Sequence, residues 1–242
     1  MADLLLGQTL TFAADPFAEG PEAARHETHG AVLIEGGRIA ATGPAERLRA
    51  LNPQARVHDY GNALISPGFV DAHAHYPQTA IIASWGKRLI DWLETYTFPE
   101  ESRFGDADHA RIAAETCLDL MLANGTTSVC SFCTIHPESV DALFTAARAR
   151  GMRVMGGKTC MDRNAPDSLR DSAQAAYDQS KALLQRWHGR DRLEYVITPR
   201  FAPTSTPDQL AALGALWAEF PDVAMQTHLS EQREEIAWVQ SL

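Results

Sequence analysis

Two histidines one residue apart close an apolar run, Pro67-Gly68-Phe69-Val70-Asp71-Ala72-His73-Ala74-His75. Side chains alternate faces on an extended strand, so His73 and His75 point the same way, roughly 7 Å apart along the backbone. Two neutral imidazoles so placed can close on one metal ion from the same side. A second chemically rich segment is Gln226-Thr227-His228-Leu229-Ser230-Glu231. His228 ends the fifth of a series of strand-like runs, and sites in parallel α/β folds are built at the C-terminal ends of strands. A third imidazole there would complete a three-histidine ligand set. Glu231 would lie in the following loop or helix start, where a carboxylate suits general acid/base work on a water activated by a cation. The leading reading is a metal-dependent hydrolytic enzyme.

Those residues need elements to carry them. The first sixty or so residues read as β-structure. A strand is expected over Leu4–Ala13, then a Pro/Gly/Glu-rich loop over Pro16–Ala24. Ala31–Glu35 and Arg38–Ala41 form a hairpin around the two-residue turn Gly36-Gly37. A short helix over Ala45–Leu51 and a strand over Arg56–Tyr60 follow, with Gly61-Asn62 as a turn. From Ala63 the pattern becomes strand, then helix, repeated. Strands are expected over Leu64–Val70, Thr126–Phe132, Arg153–Thr159, Leu193–Thr198 and Val223–Thr227. Helices are expected over Asp108–Ala123, Glu138–Arg150, Ser168–Trp187 and Pro207–Phe220, the last with Thr206 as N-cap. Another helix begins around Glu234–Val239. Such alternation argues for a parallel sheet, open or closed into a barrel. The expected division is a small β-rich domain over 1–66 and an α/β domain over 67–242.

Composition narrows the partners. The 242 residues carry a net charge of −10, which disfavours nucleic-acid backbones and anionic membranes. No apolar run approaches spanning length, and no Lys or Arg precedes Arg25, so a cytoplasmic protein is expected. The four cysteines do not suggest a disulfide scaffold. Cys130 and Cys133 form a C-x-x-C with His136 nearby, but no second ligand pair follows, and they read as small apolar residues of a buried strand and its exit. The unrelated zinc-deaminase signature needs proline before its first cysteine, and Val129 stands there. His26, His29, His58, His109, His136 and His188 read as surface or loop positions, and Trp85 and Trp92 as packing residues lining the loop after the first strand of the barrel.

Several further runs carry a resemblance. They are His75-Tyr76-Pro77-Gln78, Trp92-Leu93 with Tyr96-Thr97-Phe98-Pro99, and Asn124-Gly125-Thr126-Thr127. Met161-Asp162-Arg163-Asn164-Ala165-Pro166, Thr198-Pro199-Arg200-Phe201-Ala202-Pro203-Thr204 and Thr227-His228-Leu229-Ser230-Glu231 complete the set. Together with the His-x-His segment, the chain resembles the amidohydrolase superfamily and, within it, the guanine deaminases. The resemblance implies a (β/α)8 barrel with a small β-domain, one Zn2+ or another divalent metal per subunit, and hydrolytic deamination of guanine to xanthine and ammonia. By matching positions, His73, His75 and His228 would hold the metal, Glu231 would shuttle protons, and Gln78, Arg200 and Phe201 would contact the purine. The chemistry fits independently, since a planar hydrogen-bonding base wants an amide and a guanidinium on its edges and an aromatic on its face. A homodimer is compatible with the resemblance.

The family also uses a His on the sixth strand and an Asp on the eighth. Only about strands one to five can be read here, so the expected fold class is α/β, a partial (β/α)8 TIM-like barrel, truncated after strand five and inactive alone. Two other functions stay open at this point. One is a deaminase or chlorohydrolase acting on a different heterocycle; the other is a non-catalytic relic of the same fold.

Overall fold

The elements were located in a computed structural model that describes residues 2–86 and 88–242. The chain divides into two units, Met1–Gly68 and Phe69–Leu242. The first is a four-stranded sheet of order β3-β2-β1-β4. Its strands are β1 (Asp3–Phe12), β2 (Ala24–Glu35), β3 (Arg38–Pro44) and β4 (Arg56–Ile65), with helix α1 (Ala45–Leu51) between the last two. Strand β1 pairs antiparallel with β2 and parallel with β4. Gly36 and Gly37 both have positive φ, the conformation a two-residue hairpin turn of matching twist requires. Leu4, Ala31, Leu33 and Leu48 form this unit's core.

Two sequence expectations are corrected here. The stretch Pro16–Ala24 is not all loop: Pro16–Glu19 makes one helical turn, capped by the Asp15 side chain, and Pro21–Ala23 a 3-10 turn. Leu64 and Ile65 do not open the barrel. They end β4, where the pairing with β1 jumps from Leu6↔Asp59 to Gln8↔Leu64. The chain makes its excursion around Gly61, whose φ is positive, so the expected turn sits inside one continuing strand.

The second unit opens with β5 (Phe69–His75), so both histidines lie within the strand rather than beyond it. Helices and strands then alternate: α2 (Ala107–Ala123), β6 (Thr126–Phe132), α3 (Pro137–Arg150), β7 (Arg153–Gly157), β8 (Thr159–Cys160), α4 (Ala173–Trp187), β9 (Leu193–Pro199), α5 (Pro207–Glu219), β10 (Ala224–Met225) and α6 (Arg233–Gln240). The strands order as β10-β9-β7-β6-β5, with β8 also on β9, and every pair is parallel. This is the α/β fold with strand–helix alternation of a barrel wall, as expected from the sequence.

Side-chain caps start three of the helices in this unit. Asp106 accepts from the amides of Asp108 and His109, Ser172 from Ala175 and Thr206 from Gln209. Helix α4 therefore begins later than the periodicity suggests, because Asp167–Leu169 is a separate 3-10 turn. Strand β10 is shorter than expected, although Gln226 still donates its amide to the Ile197 carbonyl and His228 to that of Arg200. Leu118, Val129, Leu143, Phe144, Val154, Tyr195, Ile197 and Leu213 are among the residues of the core between helices and sheet. Fully buried Lys158 pairs with Asp171, which also accepts from Gln209 at 2.8 Å and so ties the β7–β8 link to α5.

A segment without expected structure is helical. Leu89–Trp92 is α, Leu93–Thr97 a π turn and Phe98–Glu101 α again. Trp92 packs there as anticipated, but Trp85 is 79% exposed and packs on little. No helix among the described residues is long and apolar enough to cross a membrane.

Two glycines report on the sheet and on a helix separately. A Cβ on Gly157 would stand 1.7 Å from the Val196 carbonyl oxygen of β9. Gly157→Ala is expected to destabilise by about 3 kcal/mol. Gly214 lies in α5 with nothing near its Cβ position, and Gly214→Ala should stabilise by about 0.5–1 kcal/mol. Urea unfolding of the two variants measures both.

Candidate active site

Strand phase brings His73 and His75 to one face of β5, with ring centroids 5.2 Å apart. His228, beyond β10, stands 5.0 Å from each. Phe132, the last residue of β6 and fully buried, lies under the group. His75 stacks on it at 4.6 Å and 12°, and His228 lies 4.3 Å from it. One nitrogen from each of the three histidines falls within 4.8 Å of the other two, and no other such trio of His, Cys, Asp or Glu occurs among the described residues.

The carbonyl of Arg200 sets the chemistry of His228. It accepts from the His228 amide at 2.9 Å, from Nδ1 of the same ring at 2.8 Å and from the Thr227 hydroxyl at 3.2 Å. A carbonyl only accepts, so Nδ1 carries the proton and Nε2 keeps its lone pair. That Nε2 lies 2.9 Å from His75 Nε2. Burial, and after it the Arg200 charge, push His75 well below the ordinary imidazole range; burial also lowers His228. Two neutral rings thus turn nitrogens toward each other, while the buried His75 Nδ1 has no hydrogen-bond partner among the described residues. This donor set fits a shared Lewis acid: three imidazoles converging at the strand ends, with one lone pair fixed by a second hydrogen bond.

The Arg200 side chain turns the other way. Its guanidinium donates to both oxygens of Glu101, Nη1 to Oε2 at 2.7 Å and Nη2 to Oε1 at 3.3 Å. Gln78 Nε2 donates to the same Oε1 at 3.1 Å. One cavity is lined by His73, His75, His228, Glu231, Gln78, Arg200 and Phe201, together with Leu89, Trp92 and Leu93. Every site residue singled out in the sequence therefore faces one space.

Glu231 is exposed, on a loop that Glu235 holds. The buried Glu235 carboxylate accepts from the amides of Ser230, Glu231 and Gln232 at 3.1, 2.6 and 3.3 Å. It also forms the capping box at the start of α6. Ser230 takes the left-handed conformation at the bend.

Glu101, Phe132 and Glu235 escaped the sequence reading. Glu101 lies in a segment read as loop, and Phe132 looked like one more apolar strand residue. For Glu235, the spacing from Gln232 was a capping signal that could have been read. Cys133 is a buried free thiol at the strand exit, as read, whereas Cys130 is only half-buried and donates to Gln226 Oε1 at 3.2 Å; burial raises the pKa of both.

Two measurements probe this geometry. Imidazoles held below their ordinary pKa of about 6.5 bind fewer protons folded than unfolded. The contribution is present above that value and lost as pH falls toward the folded pKa. Urea unfolding of the chelator-treated chain should show stability declining below about pH 6.5, and His75→Gln should remove part of that slope. Glu235→Gln should leave the core intact while hydrogen exchange at the Ser230, Glu231 and Gln232 amides accelerates by about tenfold.

Comparison with known proteins follows the same lines. The sequence pattern described as Amidohydrolase family matches residues 64–242, and that described as Imidazolonepropionase-like composite domain, bacteria, matches residues 30–55. Guanine deaminase of Escherichia coli (strain K12) is 47% identical over 234 residues, covering 96% of this chain and 53% of that protein. The solved E. coli guanine deaminase superposes with a TM-score of 0.92 at 43% identity, over 100% of this chain and 56% of that one. Guanine deaminase from C. acetobutylicum with bound guanine in its active site superposes with a TM-score of 0.90 at 28% identity, over 100% of this chain and 56% of that one. The chain spans about half the length of the curated relatives it matches. With a family pattern covering its whole second unit and three histidines converging at the strand ends, the chain belongs to the amidohydrolase family.

Proposed function

We propose that this chain supplies the nucleobase-binding and metal-binding part of a hydrolytic guanine deaminase. The carrying observation is the single cavity that faces three imidazoles, a carboxylate, an amide, a guanidinium and an aromatic ring. The relatives named guanine deaminase, and the guanine bound in one of them, support the choice of substrate. The division into a β-rich domain over 1–66 and a barrel domain over 67–242 belongs to this reading.

His73, His75 and His228 would hold the cation, for which we take zinc, since imidazole nitrogen donors suit it. Such an ion, when bound, acidifies water toward neutrality and polarises the group under attack. Arg200 and Gln78 grip the polar edge of the purine, while Phe201 packs against its ring. Glu231 takes a proton as the water oxygen adds to the carbon bearing the exocyclic amine. It gives that proton to the ring nitrogen beside that carbon, then carries the proton of the added hydroxyl to the amine as the C–N bond breaks and the carbonyl forms, so guanine and water become xanthine and ammonia. Leu89, Trp92 and Leu93 give the cavity an apolar wall that limits water around the reacting carbon.

The test uses the protein expressed from its native reading frame. Xanthine should form from guanine, with adenine, cytosine and a triazine unchanged. Glu231→Gln should lower turnover by about 10²–10⁴-fold at undiminished metal content. His73→Ala should lose bound metal, read by elemental analysis, and the thermal stabilisation that metal gives. Stoichiometric metal without any xanthine from guanine would sink the proposal.

A further inference from the structure

Glu101 is fully buried and does not line the cavity, yet it touches two residues that do. Both carboxylate oxygens are engaged: Oε2 by Arg200 Nη1, and Oε1 by Arg200 Nη2 together with Gln78 Nε2. Arg200 is itself only 3% exposed, and its guanidinium carbon lies 5.6 Å from the Phe98 ring centroid. Glu101 and Phe98 belong to the same helical turn, which continues the segment carrying Leu89, Trp92 and Leu93.

We propose that Glu101 is a positioning residue that sets which donors and acceptors the cavity presents to a heterocycle. A carboxylate can only accept, so the Gln78 amide must turn its nitrogen toward Glu101, leaving Oε1 as its acceptor. A guanidinium has five N–H donors in a rigid fork. Two are spent on Glu101, which fixes the plane and direction of the rest. The pocket edge is thereby a fixed pair, donor from Arg200 and acceptor from Gln78. That pair complements a ligand edge with a carbonyl oxygen beside a ring N–H, the lactam edge of an oxopurine. Neither residue would hold this sense alone. An unpaired Arg200 would seek other acceptors, and an unanchored amide could rotate by half a turn and exchange its donor and acceptor ends.

The identity of the ligand rests on the deaminase reading; the positioning role does not. Glu101→Gln is isosteric but brings an amide N–H against donors of Arg200 or Gln78. In the protein expressed from its native frame, this variant should raise KM for guanine and Kd for xanthine by about tenfold or more, and KM should rise more than kcat falls. Metal content should stay at the wild-type level. Glu101→Asp keeps the charge and should recover part of the loss. A merely structural ion pair would shift the unfolding temperature and leave KM and Kd in place. Unchanged KM and Kd in Glu101→Gln, or in Glu101→Asp should the first variant not fold, overturn the proposal. If the wild type fails to act on guanine, the deaminase reading fails, and crystal structures of the variants decide this one. A guanidinium of Arg200 and an amide of Gln78 that keep their wild-type positions without the Glu101 carboxylate would refute it.

Discussion

One residue joins the two halves of the site. The Arg200 carbonyl fixes the proton of His228 on Nδ1, and the Arg200 side chain is clamped by Glu101 at the opposite edge of the cavity. The end of β9 therefore dictates both where a lone pair points and where a positive charge stands. A buried ion pair of this kind is a weak source of net stability, because desolvation offsets most of the Coulomb attraction. Removing one partner is different and costs about 3–5 kcal/mol, since a charge is left buried without an answer. The constraint is thus geometric more than energetic. It holds only while β9 keeps its register between β7 and β10, which the parallel ladders and the glycine at 157 make possible.

The histidine cluster depends on that register too. Its rings come from both margins of the sheet, β5 and the segment after β10, and meet over Phe132 at the end of β6. An aromatic floor keeps water from one side of His75 and His228, and burial favours their uncharged forms. The Arg200 charge disfavours protonation of His75 further. Two effects of different origin thus agree, so His75 is ready as a donor before any cation arrives.

Much of this was legible in the sequence. The two-residue spacing of His73 and His75 needs only strand alternation, and strand ends as the seat of chemistry follow from parallel topology. Thr126–Phe132 and Ala45–Leu51 coincide with their expected bounds, the strand following the Asn124-Gly125 stop and the helix lying between Pro44 and Asn52. Other features were not legible because long-range pairing decides them. Leu64 and Ile65 look like any apolar strand, and only pairing with Gln8 and Thr9 assigns them to the first sheet. Glu101 follows a proline in a segment of mixed pattern, and nothing local distinguishes an acid that meets Arg200 from one that meets water. Trp85 shows the opposite failure: its size suggested packing, but it stands 79% exposed.

Glu235 has a consequence of its own. By gripping three successive amides it makes the bend at Ser230 an extension of the first turn of α6. Glu231 then moves only as that helix terminus moves. Fraying at a helix end is a fast, low-energy opening, easily biased by temperature or by a neighbouring surface that caps or strips the turn. The reach of the acid is therefore governed by a small local equilibrium at its tether, quite apart from the rigid sheet that holds the histidines.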